Sequence, residues 1–161
     1  MRLASRFLFS FFAVFLLTGA ASRKGTMAPD FSLVAIPSGE TVTLSKINRD
    51  HPVLLTFWAT WCPNCVEEVS ALKELTRQHA SGELKIIGIN VQEPQKRVKK
   101  FMKKHEINYM ILSDESGEVA SDYGISGIPA SLLLAKGGEI LYYGFSLPSN
   151  LDSFFEPRRS Q

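Results

Sequence analysis

The chain has 161 residues, 45% of them hydrophobic and 21% charged, which suits one domain with a real core and excludes a disordered or fibrous polymer. Arg2 and Arg6 account for the net charge of +2: leaving them out of the 18 basic residues gives 16 against 16 acidic ones. A balanced domain carries no overall argument for nucleic-acid binding.

Arg2 and Arg6 precede an apolar run from Phe7 to Leu17, and Thr18-Gly19-Ala20-Ala21 follows it. A positive start, an apolar stretch shorter than the about 20 residues of a membrane span, and small residues at its end predict a signal peptide over residues 1–21. The segment is either cleaved or kept as an N-terminal membrane anchor. In both cases the domain is expected outside the cytoplasm, in the periplasm or on the outer face of the cell membrane. Residues 22–27 read as a polar linker, 28–156 as the domain and 157–161 as a tail.

Asp30-Phe31-Ser32-Leu33-Val34 and Thr41-Val42-Thr43-Leu44 alternate apolar and polar residues around the turn signal Pro37-Ser38-Gly39-Glu40, which predicts a β-hairpin. Ser45 to Asp50 is a short helix or loop, ended by His51-Pro52. Val53 to Trp58 is almost continuously apolar and predicts a strand buried on both faces. The chain's two cysteines, Cys62 and Cys65, come next. Val66, Val69, Leu72 and Leu75 then recur at helical spacing up to about Ala80, where Ser81-Gly82 stops the helix. Leu84 to Val91 is a second buried strand.

Pro94 opens a helix with Val98, Phe101, Met102 and His105 on one face and Lys96, Arg97, Lys99, Lys100, Lys103 and Lys104 over the rest. A solvated face over a packed stripe explains the pattern; an anionic membrane surface or an acidic partner is the other reading. Ile107 to Leu112 predicts a strand, Asp114 to Gly117 a turn, and Glu118 to Tyr123 a short helix ending at Gly124. Ala130 to Ala135 and Glu139 to Phe145 form a second hairpin around Lys136-Gly137-Gly138, at the sheet edge. Ser149 or Asn150 would cap a last short helix through Phe155. The order of elements is that of an α/β domain with a mixed sheet and helices on both faces.

Four chemistries compete for Cys62 and Cys65. A structural zinc site needs about four ligands, and three scattered histidines (His51, His79, His105) offer no obvious set. A copper-binding chaperone would use both thiols and one distant histidine. An inert disulfide between residues three apart closes a tiny loop and stabilises little. A catalytic dithiol uses the strand-to-helix junction itself. There, free N–H groups and the helix dipole favour a thiolate on Cys62, whose sulfur is expected to be exposed, while Cys65 sits a turn deeper. Cys62 would attack a substrate disulfide and Cys65 would resolve the mixed disulfide, or the steps would run in reverse in a dithiol oxidase. Pro63 suits the first helical turn. Glu68, three residues after Cys65, is placed to raise thiol pKa values or to shuttle a proton. Ile128-Pro129, before an apolar strand, is either a plain strand start or a cis peptide beside the dithiol.

Phe57-Trp58-Ala59-Thr60-Trp61-Cys62-Pro63-Asn64-Cys65 together with Tyr123-Gly124-Ile125-Ser126-Gly127-Ile128-Pro129 resembles the thioredoxin-like superfamily. The leader, Ala28-Pro29-Asp30-Phe31 with its hairpin, and the extra helix and strand from Pro94 to Leu112 narrow the resemblance to the TlpA/ResA-like extracytoplasmic thiol-disulfide oxidoreductases. It spans Ala28 to about Phe145. The resemblance implies a thioredoxin-like fold with an N-terminal β-hairpin and a central helix-strand insertion. It makes Cys62 the nucleophile, Cys65 the resolving thiol, Glu68 the group's acid after the CxxC, and Pro129 the cis-proline. Trp61, Pro63, Ile128 and Pro129 would contact substrate. The group mostly reduces protein disulfides, often in apocytochrome c, and takes electrons from a membrane thiol-disulfide donor. It needs no cofactor and no metal. The chain departs from the pattern at Thr56, where thioredoxin has a buried acid, at Ser70, where the group often has proline, and at Pro63-Asn64. Ala59 and Leu55 stand where a peroxidase of the related fold needs threonine and proline, which argues against that activity.

Overall fold

In the computed structural model, residues 24–154 are described. The expected leader and the tail from residue 157 lie outside them, as does Phe155. The centre of the sheet is Val53–Trp58 (β3), and all six of its residues are buried. Leu54, Leu55 and Phe57 are fully enclosed, and each such side chain contributes about 1.5–3 kcal/mol by leaving water. β3 pairs in parallel with Lys85–Val91 (β4), Leu55 opposite Ile87 and Trp58 opposite Asn90. On its other side it pairs antiparallel with Ala130–Leu134 (β6), Phe57 opposite Ala130.

The remaining strands extend this centre. Ser32–Ile36 (β1) and Thr41–Thr43 (β2) form the expected antiparallel hairpin, followed by the short helix Leu44–Asn48 (α1). Met110–Asp114 (β5) lies parallel to β4 and antiparallel to β1. Ile140–Gly144 (β7) pairs with β6 at the far edge, across a turn in which Gly137 and Gly138 take φ of 86° and 103°. The order is β2-β1-β5-β4-β3-β6-β7. Gly25, Thr26 and Ala28 share backbone hydrogen bonds with Gly138 and Ile140, so the last expected linker residues run along this hairpin.

Period-two alternation sends β3 side chains to two cores. Leu55 and Phe57 join Phe31, Leu112, Val119 and Tyr123 on the face covered by α1 and by Glu118–Asp122 (α4). Leu54 and Trp58 join Cys62, Cys65, Leu72 and Val98 on the other, under Pro63–Gln78 (α2) and Gln95–His105 (α3). On α3 only Val98 is fully buried, and all six basic residues are exposed.

Beyond shifts of a residue or two at other ends, three departures from expectation have a clear cause. β5 starts at Met110 rather than Ile107, because α3 closes through Glu106 in the left-handed region, φ 49°, with the Ile107 N–H donated to the Met102 carbonyl. The chain needs residues 106–109 to return to the sheet. Asp114, expected in the turn, ends the strand, and its carboxylate accepts the N–H groups of Val119 and Ala120 at the start of α4. The last helix is a 3-10 turn, Asp152–Phe154, with Asn150 accepting the Ser153 N–H.

Candidate active site

The site forms where β3 hands over to α2. The Cys62 N–H reaches back to the Ala59 carbonyl at 3.2 Å, which tightens the loop between them. Cys62 is the N-cap residue of α2, with extended backbone, and its sulfur accepts the Cys65 N–H at 3.3 Å. Pro63 follows as the first helical residue, where its missing N–H costs nothing. The two cysteines are joined as a disulfide, with Cα atoms 5.3 Å apart.

Ile128-Pro129 is a cis peptide bond. Pro129 precedes β6, whose first residue lies opposite Phe57, and this pairing carries the loop to the end of β3. The Ile128 carbonyl oxygen stands 3.7 Å from the Cys62 sulfur, across 66 residues of sequence. This contact corrects one expectation. Cys62 is 4% exposed and Cys65 3%, so in the disulfide form neither sulfur is the open one. The Ile128 carbonyl lies against the Cys62 sulfur.

Trp61 is 63% exposed, directly before the pair. With Ile128, Val91, Gln92, Ile125 and Gly127 it lines a groove of about 480 Å³. Pro63 is exposed but does not line that groove. The structure thus brings Trp61, Cys62, Ile128 and Pro129 together. Among the described residues no three His, Cys, Asp or Glu side chains gather to hold a metal ion.

Glu68 is half-buried on α2. Burial pushes its carboxyl above the ordinary range, while the Leu147 backbone hydrogen bond pulls the other way. Burial first, and the Glu68 charge second, push the Tyr109 phenol up as well. On β4, Gly88 makes room for the packing of Ile111, Trp58 and Tyr109. A Cβ there would meet Ile111 Cδ1 at 2.7 Å and Trp58 Nε1 at 2.9 Å. Thr56 and Ser131 face each other across β3 and β6, both buried, and neither hydroxyl has a hydrogen-bond partner among the described residues.

One residue escaped the sequence reading. Glu93, just past β4, is 2% exposed. It accepts the Thr60 N–H and the Thr60 hydroxyl, both at 2.6 Å, and the Asn90 amide at 2.9 Å. Arg97 Nε lies 3.5 Å away. The only hint was an acid placed after a buried strand and before Pro94, in a stretch that also reads as an ordinary helix start.

Comparison with known proteins places this geometry. A family model described as AhpC/TSA family matches residues 24–143. The thioredoxin-like protein YneN of Bacillus subtilis is 33% identical over 121 residues, 73% of this chain and 69% of that protein. The thiol-disulfide oxidoreductase ResA of Geobacillus thermodenitrificans is 30% identical over 132 residues, 82% of this chain and 75% of that one. Among solved structures, StoA from Bacillus subtilis superposes with a TM-score of 0.66 at 28% identity, covering 79% of this chain and 94% of that one.

Proposed function

The chain belongs to the AhpC/TSA family and is a thiol-disulfide oxidoreductase of thioredoxin-like fold; from that premise we propose that it reduces protein disulfides outside the cytoplasm. One observation supports the site assignment above all others. Cys62 caps α2, with Cys65 one turn deeper and the Ile128 carbonyl against its sulfur. The location rests on residues 1–21.

In the reduced chain the N-terminus of α2 favours the Cys62 thiolate. That thiolate attacks one sulfur of a substrate disulfide. The S–S bond breaks, a Cys62–substrate disulfide forms, and the departing substrate thiolate takes a proton. Cys65, as thiolate, then attacks the Cys62 sulfur, closes the internal disulfide and releases the second substrate thiol. Two electrons have moved to the substrate, and a membrane dithiol donor must return them. Glu68 is the candidate to accept the Cys65 proton. Trp61 and Ile128 offer an apolar surface to extended polypeptide, with Pro63 and Pro129 shaping its approach. Apocytochrome c is the substrate to test first, on the family resemblance.

The measurement is turnover of a protein disulfide together with the reduction potential against glutathione. Cys62→Ser is expected to lose turnover, and a Cys62→Ser chain that still turned over substrate would sink the proposal. A potential near −120 mV, that of a strong oxidant, would reverse the direction. Stoichiometric high-affinity Cu(I) uptake without disulfide exchange would replace the enzyme with a copper chaperone.

A further inference from the structure

The geometry points to Glu93 as a positioning residue for the dithiol, one that holds the 59–61 loop so that Cys62 stays aligned with Cys65 when the disulfide is open. This rests on the dithiol chemistry proposed above.

Glu93 binds a single loop residue with both of its oxygens. Oε2 takes the Thr60 N–H and Oε1 the Thr60 hydroxyl, each at 2.6 Å. Charge-assisted hydrogen bonds of this kind are short and about twice as strong as neutral ones. The carboxylate is itself anchored. Asn90, 0% exposed on β4, donates to Oε2 at 2.9 Å. Gln92, with φ 55°, donates its N–H to the Asp114 carbonyl at 2.9 Å and so fixes the turn that aims Glu93 at the loop. A buried carboxylate is costly unless its hydrogen bonds are made. Here they are made to the segment that delivers Cys62, from the rigid end of a central strand.

In the disulfide form the Cys62–Cys65 bond and the Thr60–Glu93 grip both tie this loop to neighbouring elements. Reduction removes the first and leaves the second. With Glu93 in place, Cys62 is already ordered when Cys65 attacks, so closure costs little additional chain entropy. Without it, that order must be restored at each closure. The internal disulfide then forms less readily, and the mixed disulfide resolves more slowly. The equilibrium is balanced as disulfide plus two glutathione giving dithiol plus glutathione disulfide.

The test equilibrates the full chain with glutathione redox buffers and follows resolution of a mixed disulfide on Cys62. Three variants are compared with the parent: Glu93→Ala, Glu93→Gln and Thr60→Val. Circular dichroism reports whether each is folded. For Glu93→Ala the equilibrium constant for disulfide formation is expected to fall about tenfold, equivalent to about 30 mV, with a matching loss in resolution rate. Glu93→Gln keeps an oxygen for the Thr60 N–H and is expected to shift less than about threefold. Thr60→Val loses only the hydroxyl bond and is expected to shift about threefold in the same direction. A folded Glu93→Ala chain within twofold of the parent in both measurements would overturn the inference, because a residue that merely props the fold moves neither. Equal shifts in Glu93→Gln and Glu93→Ala would also overturn it, since charge and not grip would then be acting. If Glu93→Ala does not fold, an unmoved Thr60→Val has the same force. A parent that fails to exchange disulfides at all defeats the proposed function, whereas an exchanging parent with unmoved variants defeats only this inference.

Discussion

Glu68 and Glu93, the two carboxylates proposed to serve the dithiol, are built in opposite ways. Glu68 sits on α2, half-buried, and its carboxyl is pushed up by burial against a single backbone hydrogen bond. Glu93 sits past β4, almost wholly buried, and is surrounded by the donors of Thr60, Asn90 and Arg97. A carboxylate in a poorly supplied, partly dry place is free to change its proton. One enclosed by donors fixes their positions. The contrast predicts that the first acts on pH dependence and the second on geometry and stability.

The largest expected effect breaks the second arm. Glu93→Leu fills similar space but leaves the Thr60 and Asn90 donors unpaired inside the molecule. The expected cost is about 3 kcal/mol in urea denaturation. Glu68→Ala, at a half-exposed helix position, is expected to stay within about 0.5 kcal/mol. Equal losses at the two positions would erase the distinction drawn between them. Next in size is the packing on the Glu68 side. Gly88→Ala drives a methyl into Ile111 and Trp58, and overpacking of this kind costs about 1–3 kcal/mol. A loss that small, without change in the glutathione equilibrium, would show that this side of the site tolerates strain that the Thr60–Glu93 side does not.

Glu68 is read by pH. Its carboxyl pKa lies above the unfolded value, so its contribution to stability is fully present below the ordinary carboxyl range and is lost as pH rises through the raised pKa. Relative to Glu68→Gln, the parent is therefore expected to be more stable in acid than at neutral pH. Once ionised, the same carboxylate opposes thiolate formation nearby. Glu68→Gln should thus raise the rate of thiol alkylation at neutral pH by about threefold and remove the carboxyl inflection from its pH profile. An unchanged profile would reduce Glu68 to a surface charge.

The two arms were not equally legible. Glu68 could be found from its spacing, because three residues along a helix from Cys65 is a local relation. β3 could be bounded to the residue, because a strand buried on both faces is a continuous apolar word. The Ile128-Pro129 loop was marked by the rarity of cis bonds outside proline. Glu93 was not readable, since Thr60 lies 33 residues away and the two meet only because β3 and β4 run in parallel with Trp58 opposite Asn90. The buried state of Cys62 was missed for a similar reason. Its cover is the Ile128 carbonyl, brought in by the β3–β6 pairing. Local periodicity reports what one element needs, and the register between elements decides which residues become neighbours.

The last expected effect lies on the central strand, at Thr56. This is where thioredoxin carries a buried acid and where this chain has a buried hydroxyl without a partner among the described residues. Burying an unpaired hydroxyl costs about 1–3 kcal/mol in protein mutational series. Thr56→Val keeps the β-branched shape suited to a central strand and is expected to raise stability by about 1 kcal/mol. The informative result is what happens to Cys65 at the same time. If stability rises and mixed-disulfide resolution is unchanged, the hydroxyl has no part in moving the Cys65 proton, and Glu68 stands as the acid that receives it. If resolution slows while stability rises, Thr56 belongs to the proton path. The burial cost of its hydroxyl is then kept for function, and the division between a proton-handling side and a geometry-holding side extends to the floor of the site.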